Sequence, residues 1–232
     1  MDLHILSGGA AQGVVKSLWP AFAAETGAEL KGAFGAVGLM KDKLLAGEPC
    51  DVLILTEALI DGLIKSGHAV AGSNTSLGRV KTGVAVRAGE SMPDVSTAAG
   101  LKAALLEARG IYFPDPEKAT AGIHFVNVLK QLGIYGDVEK NLRAFPNGAT
   151  AMLNMAQANE PGLIGCTQVT EILYTGGVRL VGALPKEFEL ATVYTAAVCS
   201  KAAQPEVARK LVQLLGSQQS RDVRKAGGFE VD

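Results

Sequence analysis

At 232 residues the chain has room for one large domain or two small lobes, with enough length for a real hydrophobic core. Lys and Arg total 22 against 23 Asp and Glu, so the net charge is −1 and no global basic field exists to hold nucleic acid. Hydrophobic residues make up 48% and charged ones 19%, which excludes wholesale disorder, and the unusual number is 28 glycines beside only 5% aromatics.

The first residues lack the basic and apolar stretches of a secretory signal and read as a strand, Leu3–Leu6. Taken as complete, the chain is expected in the cytoplasm; with a leader removed, it is expected in the periplasm. No apolar run approaches the ~18–20 residues of a membrane span. Ser7-Gly8-Gly9-Ala10 then opens a helix through about Thr26, with Val14, Val15, Leu18, Trp19 and Phe22 at helical spacing. Glu29–Phe34 reads as a second strand, and Gly35–Gly38 opens a helix to about Ala46. Asp51–Leu55 is a third strand, apolar enough for burial on both faces. Strand, glycine turn, helix, strand is the grammar of a parallel sheet flanked by helices.

A longer strand covers Gly78–Val86, followed by a helix over about Gly100–Ala108 and a strand at Ile111–Phe113. Ala119–Gly122 leads into a helix ending near Gly133, and Asn147–Thr150 opens another. Gly162–Gln168 is a short strand leading to a turn, Leu190–Cys199 a second long strand, and Glu206–Leu215 a terminal amphipathic helix. Two long strands bracketing a middle block predict two lobes: residues 1–82 with 192–232, and residues 83–191.

Glycine and other small residues gather at four predicted strand-to-helix junctions: Ser7–Ala10, Gly35–Gly38, Ala119–Gly122 and Asn147–Thr150. In an open α/β sheet these junctions lie at the carboxyl ends of strands, where ligands bind. Helix starts present unpaired N–H groups and a partial positive charge, so small residues there let an anion touch backbone. Each cluster alone also serves as an ordinary helix start. The phosphate-loop and dinucleotide glycine signatures are both missing, as are hydrolase and zinc-protease motifs, so no cofactor is implied.

The order of elements, the segment Leu44–Val52, Asp115-Pro116-Glu117 followed by Thr120-Ala121-Gly122, and the ending Gly228-Phe229-Glu230 resemble the molybdate-binding type of solute-binding protein. The resemblance covers nearly the whole chain. It implies a type II periplasmic-binding-protein fold, two α/β lobes, each a mixed and mostly parallel sheet flanked by helices. Two crossover strands form the hinge, and the lobes close over a small oxyanion. Relatives of this type carry serine hydroxyls at the first two helix starts, where this chain has Gly8-Gly9-Ala10 and Ala36-Val37-Gly38, with Ser7 nearby. A tyrosine of the later site segment is replaced by Cys166-Thr167-Gln168. An altered cage admits a larger anion such as a carboxylate, and a related branch resembling aconitate isomerase moves a double bond in a tricarboxylate by proton abstraction and return.

The ligand-binding candidates are therefore Ser7, Gly8, Gly9, Ala10, Val37, Gly38, Thr120, Ala121, Asn147, Gly148 and Ala149 at helix starts, with Thr167 and Gln168 at a strand end. Arg79 and Lys81 on the first crossover are candidates to bracket an anion's charge, against the alternative of solvated strand charges. Tyr194 lies near the second crossover as hinge core or acid partner. His124 is a candidate general base, or else packs against its own lobe; Glu171 is a candidate proton acceptor, or else caps a helix. Cys50, Cys166 and Cys199 read as small buried hydrophobes, with Cys166 kept as a reactive-thiol candidate. His4 and His68 read as structural or exposed, and the three histidines have no metal-ligand spacing.

Binding of a small anion, a molybdate-like oxyanion or a di- or tricarboxylate, is the first expectation. The alternative is a cytoplasmic isomerase or tautomerase of a small polycarboxylic acid, in which His124 or Glu171 moves a proton. A ligand-sensing regulatory module is a third reading. A transporter permease as partner is left open.

Overall fold

A computed structural model describes residues 1–231. In chain order the elements are β1 (Asp2–Gly8), a 3-10 turn at Gly9–Ala11, α1 (Gln12–Thr26), β2 (Glu29–Gly35), α2 (Val37–Leu45), β3 (Val52–Thr56), α3 (Glu57–Lys65), β4 (Thr75–Arg87), α4 (Ala98–Glu107) and β5 (Gly110–Pro114). Then follow α5 (Thr120–Gln131), α6 (Tyr135–Val138), β6 (Leu142–Phe145), α7 (Gly148–Gln157), β7 (Leu163–Gln168), α8 (Val169–Tyr174), β8 (Val178–Ala183), β9 (Ala191–Val198), α9 (Pro205–Gly216) and α10 (Arg221–Ala226). The expected alternation of strands and helices is present. Beyond the elements expected from sequence, the chain also forms α3, α6, β6, α8, β8 and α10.

Two compact units divide the chain, Met1–Val80 with Thr192–Asp232, and Lys81–Ala191. In the first, β1 runs parallel to β2 and β3, and β3 runs antiparallel to β9. Val52, Leu53, Ile54 and Leu55 are wholly buried, as a strand with both faces covered requires. Just before them the buried Asp51 carboxylate accepts the His4 N–H at 2.7 Å and the Gln204 N–H at 2.8 Å. The Arg224 guanidinium is also buried, and donates to the carbonyls of Leu77 and Ser217, both at 2.8 Å, and to Ser220 Oγ at 3.1 Å.

In the second unit β5 runs parallel to β6 and β7, while β4 runs antiparallel to β7 and β8. Strand alternation splits its apolar residues between two faces. Ile164 and Cys166 of β7 join Val84, Phe113 and the α5 residues Phe125, Val128 and Leu129 in one core. Leu163 packs with Met152, Met155, Tyr112 and Ile172 in the other. Cys166 is therefore a buried hydrophobe, and burial pushes its thiol pKa upward, away from thiolate chemistry.

Helix starts hold only part of the glycine excess. Gly27 and Gly133, at φ 67° and 69°, follow α1 and α5 in the left-handed region that suits glycine. Among the described residues no helix is long and apolar enough to cross a membrane.

Candidate functional site

In the first unit two parallel strands end in small residues that begin helices. Beyond β1 come Gly8, Gly9 and Ala10, all buried; beyond β2 come Ala36 and Val37, also buried, and Gly38. Neither α1 nor α2 has a side-chain cap at its start or an acidic residue in its first turn. Gly8, Val37 and Tyr194 meet here: a Cβ at Gly8 would lie 2.8 Å from Val37 Cγ1 and 3.1 Å from Tyr194 Cε1. Tyr194 is buried on β9, with its ring edge-on to Phe229 at 6.4 Å. The Ser7 hydroxyl is buried and donates to the Gly8 carbonyl at 2.9 Å, so its proton is directed along the chain.

In the second unit α5 follows β5 and starts in the same way. Its cap residue Ala119 makes no side-chain hydrogen bond, no acid lies in the first turn, and Thr120 and Ala121 come first. These three starts differ from the others. The first turns of α3, α8, α9 and α10 carry Glu57, Glu171, Glu206 and Asp222, and the hydroxyl of Thr97 caps α4.

The fourth expected cluster is corrected by the structure. Asn147 Oδ1 accepts the Thr150 N–H at 2.8 Å, so this side chain caps α7. The buried Glu171 carboxylate accepts the Thr167 hydroxyl at 2.5 Å and hydrogen bonds from the amides of Gly148, Ala149 and Gln168. The start of α7 thus already faces a carboxyl group supplied by the protein. Glu171 is enclosed and committed to its own unit, which removes it as a proton acceptor for a ligand, and Thr167 is committed with it. Burial raises its pKa, while the hydroxyl and the three amides oppose that rise. Asn147→Ala removes only the cap, and is expected to cost about 1 kcal/mol in urea unfolding.

Arg79 and Lys81, the expected cationic bracket, each have a carboxylate nearby. Arg79 pairs through its backbone with Glu230 (N–H to O, 2.9 Å and 2.7 Å) and places Nε 3.9 Å from the Glu230 carboxylate. It lines a groove of about 440 Å³ in the first unit with Glu57, Ser76, Arg224 and Glu230, apart from the residues of the helix starts. Lys81 Nζ pairs with Glu189 at 2.9 Å. Each cation thus answers its own carboxylate. His124, the fifth residue of α5, places Nε2 2.7 Å from the Phe188 carbonyl. A carbonyl only accepts, so Nε2 is the donor in this hydrogen bond.

Gln168 remains. It is buried at the end of β7, and neither its amide nitrogen nor its amide oxygen has a hydrogen-bond partner among the described residues. Opposite it on β4 stands Thr82, buried with its hydroxyl also unpartnered. Sequence reasoning marked Thr82 only as a crossing point. The signal that could have found it was its place in a strand of otherwise apolar inward residues, Val80 and Val84.

A family model for bacterial extracellular solute-binding proteins matches residues 3–230. The chain belongs to this family. As a solute-binding family member it is similar, at 29% identity over 97% of its length and 84% of the relative's, to an aconitate isomerase from Pseudomonas sp.. Among solved structures it is similar to the periplasmic molybdate-binding protein of Azotobacter vinelandii, with a TM-score of 0.81, 19% identity and 99% of each chain covered. It is also similar to the sulfate-binding protein SubI of Mycobacterium tuberculosis H37Rv, with a TM-score of 0.74, 17% identity, and 99% of this chain and 86% of that one covered. Identities this low bear on fold. The fold is that of type II periplasmic binding proteins, as the sequence resemblance implied.

Proposed function

We propose that this solute-binding family member binds a small anion through backbone amides at uncapped helix starts, those of α1 and α2 in the first unit and that of α5 in the second. The observation that carries the reading is that these three helix starts have neither a side-chain cap nor an acidic first turn, although small buried residues surround them. Buried N–H groups without partners are costly, and an anion supplies acceptors and complements the helix dipole together. Relatives named for molybdate and sulfate binding support the same class of ligand. The chain passes between its units within β4 and at the start of β9, and there we place the hinge of ligand-driven closure. Family membership supports work outside the cytoplasm, delivering the anion to a membrane permease.

The second reading, isomerisation of a di- or tricarboxylate, is favoured by the relative named aconitate isomerase and by His124, whose ring is held through Nε2 by the Phe188 carbonyl with Nδ1 left as the candidate base. Titration calorimetry against molybdate, sulfate, citrate and tricarballylate, with proton NMR of aconitate in deuterated water, separates the two. The binder shows saturable affinity with no change in the acid, and His124→Ala alters its affinity less than threefold. Isotope exchange or rearrangement that His124→Ala slows at least a hundredfold would establish the isomerase instead.

A further inference from the structure

The register of the second unit shows what Gln168 faces. In β7, Ile164 and Cys166 point into the core shared with α5, so alternation sends Gln168 to the same face, one step past the last core residue. Thr82 is its direct antiparallel partner and Val84 lies in that same core, so the Thr82 side chain shares the face. The parallel pairing of β5 and β7 (Ile111 with Ile164) brings the end of β7 level with the segment leaving β5, where α5 begins. Continued three residues, that register sets Gln168 level with Asp115, whose carbonyl lies against Gly122 in the first turn of α5.

Gln168 and Thr82 are both neutral, and both lack partners. The Gln168 nitrogen needs acceptors, its oxygen needs donors, and the Thr82 hydroxyl takes either role. Solvent reaches neither side chain appreciably, so their hydrogen bonds come from something enclosed with them, and leaving them unmade costs free energy. Sulfate or a fully ionised carboxylate offers acceptors only. It would satisfy the Gln168 nitrogen and the Thr82 proton and leave the Gln168 oxygen orphaned. A hydroxyl supplies the missing donor and an acceptor together.

Resting on the anion-binding reading above, we infer that the ligand is a hydroxyl-bearing carboxylate, a hydroxy acid, whose carboxylate meets the start of α5 and whose hydroxyl bridges Gln168 and Thr82. Selectivity then follows from the rule that a buried polar pair rejects an analogue lacking the group it was built to bind.

The test is calorimetric binding of matched acids to the full chain: citrate against tricarballylate and malate against succinate, with sulfate and molybdate alongside. At least one hydroxy acid is expected to bind ten times or more tightly than its hydroxyl-free partner, and more tightly than either oxyanion. Gln168→Met, which fills the space without polar atoms, is expected to reduce that preference to within about twofold. Thr82→Val is expected to act in the same direction, and thermal melting checks that both variants are folded. Equal binding of hydroxylated and hydroxyl-free acids, or tighter binding of the oxyanions, overturns the inference while anion binding stands. Should none of the six anions bind, the anion-binding reading falls, and this inference with it.

Discussion

Glu171→Ala is expected to lower the stability of the second unit by about 4 kcal/mol, the largest effect of any single site substitution discussed. The carboxylate accepts from the Thr167 hydroxyl and from three backbone amides. Alanine strands all four donors in a place water does not reach, and it opens a void beside Gly148. Urea unfolding followed by circular dichroism measures the loss; a change under 1 kcal/mol would show that the α7 start does not depend on this carboxylate. Glu171→Gln retains an accepting oxygen and most of the volume, and should cost about half as much. Comparing it with the parent chain reads the ionisation directly. The folded pKa of Glu171 lies above the ordinary 4.5, so the folded chain holds this proton more tightly than the unfolded chain does. That contribution is complete below about pH 4.5 and is lost as pH rises through the raised folded value. The parent's stability relative to Glu171→Gln is therefore expected to decline as pH rises above about 4.5. An unchanging difference would mean the group ionises normally.

Gly122→Ala is expected to cost about 3 kcal/mol and to weaken anion binding at least tenfold. A Cβ at this position would collide with the carbonyl oxygens of Pro114 and Asp115, both backbone and neither free to swing aside. Gly122 lies in the first turn of α5, so relief of the collision moves the amides assigned to the anion. Gly62→Ala in α3 is the matched control. It has nothing within 4 Å of its added carbon and should stabilise the chain by up to about 1 kcal/mol. Thermal melting and calorimetry on both variants test the pair. A folded Gly122→Ala protein with parental affinity would remove α5 from the site.

What could be read from sequence followed the range of the interactions. The run Val52–Leu55 declared a strand covered on both faces because four consecutive apolar residues need no distant information. Asn147 followed three residues later by Thr150 is a local capping pattern, and the bond is there. By contrast, β6 has four residues that are mostly half-exposed, and β8 begins Val-Arg-Leu-Val with no fully buried side chain, so neither carries a strong period. The fates of the charged candidates were set far along the chain. Arg79 and Lys81 look like a paired claw on one strand face, yet Glu230 and Glu189 claim them separately. Glu171 looks like a helix-surface acid four residues after Thr167. Only the arrival of Gly148 from another βα junction turns it into a buried internal acceptor.

The interrupted first unit also sets an order for folding during synthesis. The middle unit is continuous, so all its strands have emerged once Ala191 has been made. The first unit at that moment still lacks β9, the antiparallel neighbour of β3, and lacks Arg224, which ties the last helix to the Leu77 carbonyl. The inner segment can therefore reach its native state while the outer one waits for β9 and α10, holding the sheet edge of β3 unpaired in the interval. A nascent chain of this design stays accessible to holding chaperones until β9 and α10 have been made.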